Sequence, residues 1–377
     1  MGRGNKYLFK PEGLSKPEWP DLWLLGISFT LVAFGILVLA SVSSSFSLER
    51  TGTTFYFLNH QLLFGLLPGL FLGFLAYLLP LEKLKQLSLP FLLFTAVLLL
   101  LVFLPFIGGE VKGAYRWIFL GSFSFQPSEL LKLTSILYLA ALLAAKGEKK
   151  KVRQTLLPFL VILGVISILL ILQPDISTLG IIGLVGILLY FLSGTPLWHL
   201  LLMLGGGVAV LLLLIRLAPY RLSRLAVFFD PMLDPLGKGY QIKQALIGIG
   251  SGGLMGVGLG LSFQKFGVLP EPISDSIFAV FAEETGFFGA AFLILLFLLF
   301  AWRSFMVAKR IGDPFARLAL MGITLWIVLQ ALVNMGSMTG IFPLAGIPLP
   351  FISYGGSALV VELIGLGILL KISRRAS

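Results

Sequence analysis

Apolar residues in this chain fall in long unbroken runs, with the polar residues gathered between them. Ten runs are long enough to cross a bilayer, near residues 22–44, 57–79, 87–107, 127–145, 156–174, 176–194, 198–218, 277–301, 315–339 and 355–371, since a spanning helix needs roughly 20 apolar residues. A run without a polar face has nothing to offer water, so each predicts a membrane helix rather than the amphipathic helix of a soluble domain. The first run is longer than a signal-peptide core and its polar lead is longer than the usual one, so it reads as an uncleaved anchor. The pattern predicts an all-α polytopic membrane protein with about ten transmembrane helices. It forms one membrane domain over residues 1–377, with polar tails at 1–21 and 372–377 and one long connection, 219–276.

Composition agrees. The chain is 58% hydrophobic and 12% charged, with mean hydropathy +1.00, whereas a soluble domain is roughly half apolar and a quarter charged. The absence of cysteine removes disulfides, thiol nucleophiles and iron–sulfur clusters. His60 and His199 are too far apart in sequence to suggest a metal pair.

A net charge of +11 raises the question of nucleic acid, and the placement of the charges answers it. With the N-terminus in the cytoplasm, 18 of the 28 Lys and Arg residues fall on the inner side, in short loops and both tails. That is the positive-inside pattern, so the basic excess is mainly topogenic and no nucleic-acid partner is expected. Of the other ten, Lys132 lies inside a span and nine lie at or beyond the outer surface, most of them in the 108–126 loop and in 219–276. Basic residues held outside against this rule suit an anionic ligand or lipid headgroups; the count alone leaves both open.

The 219–276 segment carries Arg221, Arg224, Lys238, Lys243, Lys265, Glu271 and Asp275. Its apolar, glycine-rich part, Gln244–Leu261, suits a re-entrant or interfacial element packed on protein. Three motif matches fail for lack of context. Gly248-x-Gly250-x-x-Gly253 has no preceding strand, Ser262-x-x-Lys265 lacks the companion motifs of penicillin-binding enzymes, and no P-loop occurs, so no nucleotide is expected.

Ionisable residues inside spans tend to be functional. Glu129 and Lys132 are three apart and can pair on one helix face, either as a packing device or as part of a site. Glu283 and Glu284 suit a hydrated cavity or bonds to neighbouring helices, and Asp175 suits a helix cap. Asp275 precedes the span that starts near Ile277. A carboxylate there fits a general base of raised pKa or an N-cap equally well.

Several longer motifs complete the reading. They are Gly113-Ala114-Tyr115-Arg116-Trp117, Gln126-Pro127-Ser128-Glu129-Leu130-Leu131-Lys132, Gln173-Pro174-Asp175, Leu269-Pro270-Glu271 with Asp275-Ser276-Ile277-Phe278, and Gly346–Phe351 with Ile352–Ser357. In this order they resemble the SEDS family, the FtsW/RodA-type peptidoglycan glycosyltransferases, over nearly the whole chain. Gly258–Lys265 looks more like the division-type FtsW branch than the elongation-type RodA branch.

The resemblance implies a polymerase that extends glycan strands from lipid II at the outer face of the cytoplasmic membrane, with undecaprenyl pyrophosphate as leaving group. Asp275 is the residue it marks as catalytic, although Ser276 stands where the family usually has phenylalanine. Arg116, Arg221, Arg224, Lys238, Lys243 and Lys265, with a divalent cation (Mg or Mn), are candidates for the pyrophosphate. Glu271 is a further substrate contact, and Trp117 either stacks on substrate or anchors at the interface. The implied partners are a class B penicillin-binding transpeptidase and other divisome or elongasome membrane proteins. Two rival readings are a lipid-linked oligosaccharide flippase and an inactive scaffold for a transpeptidase.

Overall fold

A computed structural model describes residues 19–111, 114–121, 123–145, 152–217 and 226–375. Arg221 and Arg224 lie outside the described residues, as do most of the N-terminal tail and the lysines at 146–151. Each of the ten apolar runs is helical. In chain order the helices are α1 (Leu22–Thr51), α2 (Tyr56–Leu78), α3 (Leu81–Gln86), α4 (Ser88–Leu101), α5 (Pro127–Ala144) and α6 (Val152–Leu172). Then come α7 (Ile176–Leu192), α8 (Leu197–Leu217), α9 (Lys238–Ser251), α10 (Ile277–Arg310), α11 (Pro314–Met338) and α12 (Gly356–Ser373). Among the described residues six of these, α1, α2, α5, α10, α11 and α12, are long and apolar enough to cross a membrane by themselves. The chain is a helical polytopic membrane protein. α5, α11 and α12 are the most deeply packed, and α1 and α2 turn much of their apolar surface outward.

The all-α expectation needs one correction. Residues expected to form a plain loop between the third and fourth runs make an antiparallel sheet of β1 (Gly108–Val111), β2 (Ala114–Leu120) and β3 (Phe123–Phe125). Its register pairs Gly109 with Trp117 and Ile118 with Phe125. Aromatic and β-branched residues favour a pleated surface, and a short, mostly apolar aromatic strand reads much like the end of an apolar helix in sequence.

The long connection is built as the glycine-rich pattern suggests. α9 packs on α10, and residues 252–258 then lie along an interruption in α10 at Gly286, whose φ is 66°. The amides of Val257 and Gly258 donate to the carbonyls of Glu283 and Glu284 at 3.0 Å, and the Phe287 amide donates to Gly253 at 2.9 Å. A break in a helix at this depth is tolerable only if neighbouring backbone takes up the freed groups. A Cβ at Gly286 would sit 2.3 Å from the Gly256 amide nitrogen, so glycine is obligatory there.

Helix directions sort the remaining polar groups to two ends. One end carries the sheet, the turn before α10 and the 340–355 connection. At the other, Asp21 caps α1 and takes two bonds from Arg303, at 2.9 and 2.6 Å, while its amide donates to Ser373. Burial pushes the Asp21 pKa up, but the Arg303 hydrogen bond, the Leu24 amide and nearby positive charge outweigh it and hold the group below its ordinary 3.8. A carboxylate of depressed pKa adds stability above its ordinary value and loses it as pH falls through the folded value. Asp21→Asn should therefore lower the melting temperature at neutral pH and flatten its fall below pH 3.8, as checked by thermal unfolding in detergent across that range.

Candidate functional site

Asp275 stands at the turn from the long connection into α10, and the turn is held by its backbone. The Asn334 amide of α11 donates to the Asp275 carbonyl at 2.8 Å and to the Ile347 carbonyl at 2.8 Å. The Ser353 hydroxyl donates to the Ser274 carbonyl at 2.6 Å, and the Tyr354 amide donates to Ile273 at 2.8 Å. Two connections, 271–276 and 346–354, are thus laced together. The Asp275 carboxylate faces Gly346, at φ +64°, where an added Cβ would lie 3.5 Å from Oδ2. Of the two roles open from sequence, the N-cap is not taken: Ser276 occupies that position, with no side-chain cap bond.

Ser276 has a different task. Its hydroxyl donates to the Pro270 carbonyl at 2.9 Å and accepts from Gln241 at 3.0 Å, fastening α9 to the Leu269-Pro270-Glu271 stretch.

Beside this turn opens a cavity of about 670 Å³. Trp117 and Glu271, both singled out from sequence, line it, and so does Ser274, next to Asp275. Leu269, Pro270 and Tyr354, from motifs singled out in sequence, line it as well, whereas the wall from the first two spans was not foreseen: Phe46, Glu49 and Arg50 from the end of α1, and Phe57, His60 and Phe64 from α2. The Arg50 guanidinium rests 4.6 Å over the Phe46 ring, and the Tyr354 hydroxyl meets His60 Nδ1 at 3.0 Å. Burial, then the neighbouring Tyr56, pushes the Tyr354 phenol up to about 12, so it stays protonated. A π-helical turn at Leu62–Leu66 follows Gln61, whose side chain bonds Ser353 and Gly355; such turns often mark functional positions.

The predicted cations divide. The Arg116 guanidinium donates to the Gln173 carbonyl at 3.0 Å and to that of Pro174, clamping the sheet to the α6–α7 junction. Lys265 is not at the outer surface as expected. It is 1% exposed and paired with Glu284 at 2.9 Å, because its turn folds back onto the interrupted α10. Lys243 lines a separate groove of about 550 Å³ with Tyr240. Lys238 opens α9, its amide bonded to Asp234 at 2.9 Å. Arg50 is the cation that lines the cavity among the described residues. Its signal in sequence was its position as the one basic residue at the outer end of the first run.

Glu283 accepts bonds from the Phe263 and Gln264 amides, each at 3.2 Å, so of its two readings the structure shows bonding to neighbouring segments. Asp175 caps α7 through Thr178 at 3.3 Å and takes the Ser128 hydroxyl at 3.0 Å. Glu129 and Lys132 do pair, at 2.7 Å, but Lys132 also donates to Gln330 Oε1 at 2.7 Å. The pair therefore ties α5 to α11. The sheet above is fastened by Arg116 instead. Among the described residues no three His, Asp or Glu side chains converge as metal ligands.

Comparison with known proteins follows this geometry. The model of a family of cell cycle proteins, FtsW/RodA/SpoVE, matches residues 22–377. A probable peptidoglycan glycosyltransferase FtsW of Thioalkalivibrio sp. (strain K90mix) is 39% identical over 361 residues, 94% of this chain and 90% of that protein. One of the same description from Coxiella burnetii is 39% identical over 358 residues, 94% of this chain and 96% of that one. Among solved structures, a chain of a peptidoglycan synthase complex that coordinates polymerization and crosslinking superposes with a TM-score of 0.77 at 29% identity, covering 94% of this chain and 98% of the other. Thermus thermophilus rod shape determining protein RodA superposes with a TM-score of 0.69 at 27% identity, covering 97% and 99%.

Removing one member of a buried ion pair costs about 3–5 kcal/mol, because the other charge is left without a partner. Lys132→Met should destabilise the protein by that amount, and Lys132→Met with Glu129→Leu by clearly less, as read from denaturation midpoints.

Proposed function

This chain belongs to the FtsW/RodA/SpoVE family, and from that premise we propose how it works as a peptidoglycan glycosyltransferase at the cytoplasmic membrane. It polymerises lipid II into glycan strands for cell division, using the cavity beside Asp275 as its donor and acceptor site. The observation that carries the assignment is the Asp275 turn: its backbone is fixed by Asn334, Ser353 and Tyr354, and through Ser274 it adjoins an aromatic-walled cavity.

The positive-inside pattern puts both termini in the cytoplasm with ten spans, so the cavity opens on the outer face. Polymerisation joins the 4-hydroxyl of N-acetylglucosamine to the anomeric carbon of the donor. Asp275 takes the hydroxyl proton as the new C–O bond forms and the bond to pyrophosphate breaks; the leaving oxygen keeps the electron pair. An α-linked donor gives a β-1,4 product by one inversion, so no covalent nucleophile is needed. A general base of this kind contributes on the order of 10²–10⁴-fold.

Trp117, Phe57 and Tyr354 offer faces on which a sugar can stack, and Arg50 places positive charge in the cavity for the departing pyrophosphate. Lys238 and Lys243 are left as cations of the long connection, whose Arg221 and Arg224 lie outside the described residues. Arg116 and Lys265 act by holding the fold. A divalent ion, expected from sequence, would sit with the pyrophosphate and supply further positive charge to it; among the described residues no three His, Asp or Glu side chains converge to hold one. No step is routed through it. A class B penicillin-binding transpeptidase is the partner that consumes the strand.

Purified protein supplied with lipid II should make glycan strands, and Asp275→Asn should fold, bind lipid II and make at least about 10²-fold fewer. Full activity in that variant would remove Asp275 as the base. Strands from neither protein, even with a cognate transpeptidase present, would favour the flippase or scaffold reading. Arg50→Ala should reduce turnover while leaving Asp275 and the fold in place, and steady-state kinetics against lipid II concentration would show it.

A further inference from the structure

An apolar groove of about 550 Å³ runs along the outside of α1, α2 and α12, at the opposite end from Asp275. Phe29 and Val32 of α1, Leu70 and Phe74 of α2 and Leu366 of α12 form its walls. It closes at Pro20 and Tyr77. There the Lys371 ammonium and the Arg374 guanidinium lie 5.7 and 5.9 Å from the centre of the Tyr77 ring.

We propose that this groove binds one anionic phospholipid of the cytoplasmic leaflet. The phosphate sits against Lys371 and Arg374 beside Tyr77, and one acyl chain lies along the groove.

Basic pockets between transmembrane helices on the cytoplasmic side are where anionic headgroups bind. The sign of Lys371 and Arg374 alone has a simpler cause, since cations favour the C-terminal end of a helix such as α12 and the cytoplasmic side of a membrane protein. Neither cause accounts for the apolar groove beneath them. The proposal is independent of the chemistry assigned to Asp275.

Native mass spectrometry of the purified full chain tests it, with dioleoylphosphatidylglycerol, dioleoylphosphatidylcholine, undecaprenyl phosphate and inorganic phosphate as separate probes. One phosphatidylglycerol should be retained at least tenfold more than phosphatidylcholine, with no adduct from inorganic phosphate. K371Q/R374Q should reduce phosphatidylglycerol to the phosphatidylcholine level. That variant changes only the rim and leaves the packed core alone. Ala33→Trp, which fills the groove and keeps both cations, should also lose the adduct. Equal retention of both phospholipids would overturn the proposal, leaving an unspecific apolar surface. So would an adduct that survives Ala33→Trp, or preferential retention of undecaprenyl phosphate.

Discussion

The ammonium of Lys132 is buried in the middle of the protein at 1% exposure, and much of the structure is arranged to accommodate it. A charge cannot be left alone in a medium of this kind. Glu129 neutralises it and Gln330 accepts a bond from it. Gln330 in turn accepts from the Trp326 indole at 2.9 Å and donates to the Pro348 carbonyl at 3.0 Å. One turn along α11, Asn334 holds Asp275 and Ile347. From α12, Glu362 accepts from the Phe351 amide at 2.8 Å, fixing that residue at φ +65°. A column of polar contacts therefore rises from the buried lysine through α11 and α12 to the two connections that carry the candidate site.

The same logic governs the long connection. Its glycine-rich return stroke repairs the interruption of α10, and two carboxylates at 283 and 284 receive the amides, hydroxyls and ammonium that the return stroke brings inward. Lys265 looked in sequence like a cation for a ligand. In space it is the counterion of Glu284. A chain that leaves and re-enters a membrane must bring its own partners with it.

The helices were legible because a bilayer admits little else, and apolar run length marks them directly. The sheet was not, since Ala114–Leu120 is as apolar as a helix end and its pairing depends on neighbours that periodicity does not reveal. The place of Asp275 at the turn before α10 was legible from where that apolar run begins, as was the pairing of Glu129 and Lys132 from their spacing. Arg116 could not be read correctly, because its partners are backbone carbonyls 57 and 58 residues away. The cavity wall from α1 and α2 was hidden for another reason. Phe46, Phe57 and Phe64 belong to helices that largely face lipid, and an aromatic ring turned to a cavity looks the same in sequence as one turned to the bilayer.

The turn bearing Asp275 is gripped through main-chain carbonyls and amides by Asn334, Ser353 and Tyr354. Every residue type presents those same atoms. The grip thus asks little of the side chains the turn displays, and Ser276 shows one use of that latitude: its hydroxyl meets Gln241 beside the carboxylate. Variation in this region is free to tune what the cavity wall offers a substrate, and the burden of invariance passes to the residues that do the holding.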